Sequence, residues 1–216
     1  MNTPTNPRRL AIAGGSGRMG LAVARLAPEH GFAVVSALVA PAEAGTRCGA
    51  VIAVSDPFEA IENADIVIDF SHAKAVAKLA EACTERRVAL VCGTTNIDEV
   101  GRNALDRLAE VAPVLWTPNM SFGVQLLADL VEQAVRRLGP SFDAEVVEIH
   151  HNRKVDAPSG TAKRLAEAIR LGSESEEPIV HGREGDVGAR HQGEIGMHAV
   201  RGGDVIGDHT DRKSVV

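Results

Sequence analysis

The 216-residue chain has no tyrosine, one tryptophan and three cysteines, and its formal net charge is -6. Each shortage excludes something. With aromatic residues at 3%, ring faces are too few for the stacking platforms that hold single-stranded nucleic acid. A negative balance also opposes binding to a phosphate backbone, which clustered lysines and arginines drive by releasing counterions. Cys48, Cys83 and Cys92 form no CxxC pair and are odd in number, so reduced, mostly buried thiols in a cytoplasmic protein are expected. No window approaches the roughly 20 apolar residues of a membrane span. The stretch "LAIAG" is too short for a signal-peptide core and reads directly into a glycine loop. Neither nucleic acid nor membrane is an expected partner.

What remains is an ordinary globular composition, 44% hydrophobic and 24% charged, in a chain long enough to bury one large core or two small ones. From Leu10 to about Thr117, short apolar runs alternate with longer amphipathic ones. "RLAIAG", "VVSALVA", "AVIAV", "DIVIDFS", "VALVCGT" and "PVLWTP" read as strands. "RMGLAVARLAPEH", "AKAVAKLAEACTERR" and "IDEVGRNALDRLAEV" have apolar residues at helical spacing. Runs that do not alternate polar with apolar belong to strands covered on both faces, hence to a parallel sheet. The repetition predicts an α/β chain opening with a Rossmann-like, doubly wound parallel sheet. A long helix from Ser121 to Gly139 follows. Then come a strand over "DAEVVEIHHNRKV", a helix from about Gly160 to Leu171, and late strands at "GEIGMHAV" and "GDVIGDHT". The boundary falls near Asn119 to Val124, dividing a dinucleotide-binding domain (1–120) from a second α+β domain with an open mixed sheet (121–216).

"AIAGGSGRMG" sets Gly15, Gly17 and Gly20 in a G-x-G-x-x-G arrangement between a predicted strand and a predicted helix. In that context the glycines let the backbone approach a pyrophosphate at a helix N-terminus; the bland alternative is a tight turn that needs small residues. The acidic residue usually found at the end of the second strand is missing, Val39 and Ala40 standing there instead. With Arg18 in the loop, NADPH should be tolerated. "CGTT" (Gly93, Thr94, Thr95) and "TPNMS" (Thr117 to Ser121) lie at later strand ends, where such sheets bind ligands.

In "EIHHNRKVDAPSGTA", Glu148, His150 and Asn152 would share one strand face, His151 and Arg153 the other. Pro158 and Ser159 lead into a helix whose first amides belong to Gly160, Thr161 and Ala162. A helix N-terminus beside His and Lys makes a carboxylate pocket. The alternative is a solvated strand end with one core histidine. A metal site lacks support, because adjacent histidines point apart and no H-E-x-x-H or Cys/His spacing exists.

"GGSGRMG", "DFSH", "CGTT", "PNMSFGV", "EIHHNRKVDAPSGTA", "GREG" and "GEIGMHAVRGGDVIGDHT", in that order, resemble the dihydrodipicolinate reductases of lysine and diaminopimelate biosynthesis. The resemblance spans Arg9 to Thr210. It implies an NAD(P)H-dependent oxidoreductase that transfers hydride to a cyclic unsaturated dicarboxylate, with NADPH or NADH as cofactor. By similarity, His150 matches the proton donor/acceptor and Lys154 a second proton donor. His151 matches a substrate contact, and Gly160 with Thr161 match the pair that grips a substrate carboxylate. Gly14, Gly15, Ser16, Gly17, Arg18 and Met19 match cofactor contacts, as do Gly93, Thr94, Thr95, Thr117, Pro118, Asn119 and Met120. The resemblance also implies a homotetramer built through the second-domain sheet. Residues 211–216, "DRKSVV", depart from the family pattern, so an incomplete second domain is expected, with its tetramer interface impaired. Two further readings stand beside this one: another nicotinamide oxidoreductase of a small dicarboxylate, and a dinucleotide sensor without chemistry.

Overall fold

A computed structural model describes residues 7–176 and 178–215. Residues 1–6, Glu177 and Val216, the last residue of the 211–216 segment expected to depart from the family pattern, lie outside the described residues. The chain divides into two compact units, Met1–Pro118 and Asn119–Val216.

The first unit runs β1 (Arg8–Ala13), α1 (Arg18–Leu26), β2 (Phe32–Leu38), β3 (Arg47–Cys48), β4 (Val51–Val54), α2 (Pro57–Ile61), β5 (Ile66–Asp69), α3 (Ala73–Arg86), β6 (Ala89–Cys92), α4 (Glu99–Ala109) and β7 (Val114–Trp116). Its sheet order is β3-β4-β2-β1-β5-β6-β7. All neighbours are parallel except the two-residue β3 against β4. Without β3 this is the doubly wound order, which reverses beside β1 and opens a crevice beyond the carboxyl ends of β1 and β5. The unalternating strands are explained by their two covered faces. Leu10 and Ile12 pack toward α1 with Val23 and Ala24. Ala11 and Ala13 pack into the opposite core with Leu79, Cys83 and Leu108. The three cysteines are buried and free, and no helix among the described residues is long and apolar enough to cross a membrane. The sequence reading missed β3 and α2, because neither is long enough to show a period. The helix α2 is set by Pro57 in its first turn and by Asp56, whose side chain accepts from the amides of Phe58 and Glu59.

The second unit comprises α5 (Phe122–Leu138), β8 (Phe142–His150), α6 (Gly160–Ser173), β9 (Ile179–His181), β10 (Ile195–Arg201) and β11 (Asp208–Val215). The sheet order is β11-β8-β10-β9, antiparallel only between β11 and β8. One face of this mixed sheet is covered by α5 and α6, where Ala144, Val146, Ile195 and Met197 meet Val131, Leu165 and Ile169.

Two expectations are corrected here. The strand expected through Val155 stops at His150, and the chain then turns, so His151, Asn152 and Arg153 do not alternate on a strand. The turn is held by the Asn152 amide donating to Gly203 O (3.1 Å) and the Gly202 amide donating to His150 O (3.0 Å). The last strand is not Gly203–Thr210 but Asp208–Val215, so residues 211–215 are regular sheet. Its polar pattern hid it. Asp211 and Lys213 lie opposite Val146 and Ala144 on the covered face and pair with each other at 2.5 Å. The ion pair lets charged residues occupy positions where an apolar alternation would be read.

Candidate active site

The second unit is organised around a carboxylate. Glu148, on β8, has a fully buried side chain. Both Arg201 Nη atoms, from the end of β10, donate to it at 2.8 Å. His150 Nδ1 lies 2.5 Å from Glu148 Oε2, and the Ser159 amide donates to Oε1 at 3.1 Å. Burial pushes this carboxyl up, but Arg201, His150 and the Ser159 amide outweigh it and hold the value at about 2. The charge that Arg201 supplies is therefore matched, and Glu148 fixes the ring of His150. With Nδ1 against the carboxylate, Nε2 is the ring atom left for proton exchange. Gly207 makes room beside it: a methyl group there would sit 2.7 Å from Nε2.

Ser159 ties the two ends of the motif together. Its hydroxyl oxygen caps α6 by accepting from the Ala162 amide (3.1 Å), and it lies 2.8 Å from His209 Nε2. The His209 ring meets that of His150 edge to face, with centroids 5.0 Å apart. Burial, then the neighbouring His150, lowers the pKa of His209. The helix cap leaves the amides of Gly160 and Thr161 without intrahelical acceptors. Gly160 is exposed with open space over its Cα. Thr161 Oγ1 accepts from Asn119 Nδ2 at 3.0 Å. Lys154, in the turn, is held by Asp156 at 2.7 Å, and that contact lowers the Asp156 pKa. Nδ1 of His151 is buried and has no partner.

In the first unit, Gly14 to Gly17 link β1 to α1, and Arg18 and Met19 are the first residues of that helix. Gly14 has φ +76°, and a Cβ there would lie 2.4 Å from Phe70 O; one on Gly20 would lie 2.2 Å from Gly14 O. These contacts bring β1, β5 and α1 together and hold the loop's amides at the crevice. Among the described residues the other five α-helices each have a side-chain cap, whereas Gly17 offers none to α1. Its first-turn amides are open to an outside acceptor, and Ser71 Oγ beside Gly14 is buried without a partner. A dinucleotide pyrophosphate fits that chemistry. Gly93, Thr94 and Thr95 follow β6, and a depression of about 410 Å³ there is lined by Ser71, Thr94 and Thr95. The buried Asp69 positions this edge, accepting from the Ser71 amide (2.9 Å), Thr94 Oγ1 (2.8 Å) and Cys92 Sγ (3.0 Å). Burial, then Asp69, pushes the Cys92 thiol up to about 12, which makes it an inert donor. Thr117 and Pro118 fall in this unit, but Asn119 and Met120 fall in the second.

Sequence reasoning did not single out Arg201, Ser159 as a link, His209 or Asp69. Only alternation, which sets Glu148 on the same face as His150, pointed toward the carboxylate. "GREG" is structural: Arg183 bridges Glu145 and Glu194 on the far side of the sheet. A cavity of about 660 Å³, bordered by Arg136, Phe142 and Arg190, lies toward the opposite end of β8 from His150 and holds none of the candidate residues.

A doubly wound sheet with an uncapped glycine loop, followed by an α+β unit with its own buried ionisable group, is the build of two-domain nicotinamide-dependent oxidoreductases. The family profile described as "Dihydrodipicolinate reductase, N-terminus" matches residues 8–120, and "Dihydrodipicolinate reductase, C-terminus" matches residues 123–214. The chain belongs to the dihydrodipicolinate reductase family. It is 42% identical over 212 residues to the 4-hydroxy-tetrahydrodipicolinate reductase of Anaeromyxobacter sp. (strain Fw109-5), covering 93% of this chain and 79% of that one. It is 43% identical over 214 residues to the enzyme of that name from Thiobacillus denitrificans, covering 94% and 80%. Among solved structures, dipicolinate-bound dihydrodipicolinate reductase from Paenisporosarcina sp. TG-14 has the same fold, with a TM-score of 0.67 at 24% identity and coverage of 97% and 88%. The second profile runs through Ser214, past the Thr210 at which the motif resemblance ends.

Proposed function

We propose that this chain is a 4-hydroxy-tetrahydrodipicolinate reductase, an NAD(P)H-dependent oxidoreductase of lysine and diaminopimelate biosynthesis that works in the cytoplasm. The first unit, about residues 1–120, holds the dinucleotide through Gly14 to Met19, Gly93 to Thr95 and the strand end at Thr117. The second, about 121–216, holds the dicarboxylate and supplies the subunit contacts. When bound, the nicotinamide supplies a hydride to the substrate ring. The ring carbon next to the hydride acceptor then carries negative charge and needs a proton. His150 Nε2 is suited to give it, because Glu148 fixes the ring through Nδ1. The Lys154 ammonium and the open amides of Gly160 and Thr161 neutralise the substrate carboxylates, with His151 as a further contact. Lys154 also serves as a second proton donor once substrate draws it from Asp156. Such fixation of the ring orients it for reaction.

The observation that carries this reading is the group formed by His150, Glu148, Arg201 and Ser159 at the start of α6. The test is NADH or NADPH oxidation by the purified chain, coupled to the enzyme that forms its substrate. Dinucleotide binding without turnover of this or another cyclic dicarboxylate would sink the enzymatic reading.

A further inference from the structure

The connection after β2 contains a carboxylate that the end of β2 lacks. Val39 is buried there, its amide donating to Val54 O at 2.9 Å, and Ala40 follows. The chain then makes a single 3₁₀ turn, Pro41–Glu43. The turn is fixed by the Glu43 amide on Ala40 O (2.9 Å), the Gly45 amide on Ala53 O (2.8 Å) and Thr46 Oγ1 on Glu43 O (2.7 Å). This fold-back directs the Glu43 side chain to the glycine loop, where Ser16 Oγ donates to Glu43 Oε2 at 3.1 Å. Among the described residues no lysine or arginine pairs with Glu43. Arg47 is turned to Gly49 O (3.2 Å) instead.

We propose that Glu43 is the cofactor-specificity residue of this chain, accepting the adenosine ribose hydroxyls and favouring NADH over NADPH. The inference rests on the dinucleotide reading of the glycine loop. In doubly wound folds a carboxylate about 20 residues beyond that loop receives the ribose diol. Here the same group comes from the turn beyond the strand rather than from its end. One carboxylate oxygen is occupied by Ser16 and the other is free to accept. A 2′-phosphate, at −1.5 to −2 charge, would meet an unpaired anion and lose the diol hydrogen bond as well. Glu43 therefore reverses the preference that Val39 and Ala40 suggest by themselves.

The experiment is calorimetric titration of NADH and of NADPH into the full chain, without substrate, for the unaltered protein, Glu43→Gln and Glu43→Ala. Glu43 is exposed in a surface turn, so neither variant disturbs a core. A charge-assisted hydrogen bond is worth roughly tenfold or more in affinity. The unaltered chain should bind NADH about tenfold or more tighter than NADPH. Both variants should lose most of that ratio, chiefly through weaker NADH binding. An unchanged ratio in the variants, or tighter NADPH binding by the unaltered chain, overturns the role of Glu43. Failure of the unaltered chain to bind either dinucleotide overturns the reading of the loop itself, and the inference with it.

Discussion

Replacing Arg201 with methionine removes two of the four hydrogen bonds accepted by the buried Glu148, leaving only His150 and Ser159. The shift from 4.5 to about 2, about 3 kcal/mol at 1.36 kcal/mol per unit, is the net of burial, which raises the value, and the joint effect of Arg201, His150 and the Ser159 amide, which lower it, with Arg201 the largest favourable contribution. Breaking a buried pair on one side costs about 3–5 kcal/mol on general grounds, which sets the expected loss. The sign is set by linkage. Because the folded value lies below the unfolded one, this stabilisation is complete above pH 4.5 and disappears as pH falls through about 2. Without Arg201, burial dominates and the carboxyl rises, so the variant takes up a proton where the unaltered protein does not. A deficit of about 3 kcal/mol at pH 7 should therefore narrow by pH 4. Native-state hydrogen exchange of the β8 and β10 amides reads it directly. The double variant Glu148→Gln/Arg201→Met should recover part of the loss, since it removes the stranded charge. A deficit below about 1 kcal/mol, a pH-independent one, or strict additivity in the double variant would refute the reasoning.

His150→Ala should lower kcat by about 10²- to 10⁴-fold with little change in KM, whereas Lys154→Ala should damage both; equal small effects at both positions in steady-state kinetics would count against their roles. Gly207→Ala places a methyl group 2.7 Å from His150 Nε2 on a residue with φ +155°, so kcat and thermal stability should fall together; unchanged turnover would show that the ring has space there. His209 folds with a lowered pKa, so the unfolded chain binds more protons as pH falls through the ordinary histidine range near 6.5, and stability drops. His209→Gln should flatten that slope in thermal unfolding between pH 7.5 and 5.5, and an equally steep slope would remove His209 as its cause.

The first unit was legible because its rules are local. Each long helix shows a 3.6-residue period, each buried strand a continuous apolar run, and the glycines fall where the first strand meets the first helix. What escaped were pieces too short to have a period, α2 and β3, and a turn whose importance lies in where it points. Nothing in "APAEAG" indicates that Glu43 returns to Ser16, because that contact depends on the Gly45 amide closing onto Ala53 O.

The second unit was harder to read because its charges solve problems across the sheet. Alternation set Glu148 beside His150, but a carboxylate on a covered face reads as an error until its cation is found. That cation is Arg201, on a strand aligned parallel to β8, with Arg201 in register with His150. The same holds for β11, where His209 lies opposite Glu148 and Asp211 opposite Val146. A pattern search rejects such a strand, since it sees polar residues without the partners that neutralise them. The buried polar positions were therefore the illegible ones, and they are also the ones that give the site its chemistry. Glu148 is unfavourable where it stands unless Arg201, Ser159 and His150 all reach it, and those contacts hold the imidazole in one orientation. If that is why the charge is buried, Glu148→Gln should lower kcat nearly as far as His150→Ala while costing less stability than Arg201→Met. Should Glu148→Gln retain full turnover, the carboxylate would be a structural tie between β8, β10 and α6, and the orientation of His150 would need another cause.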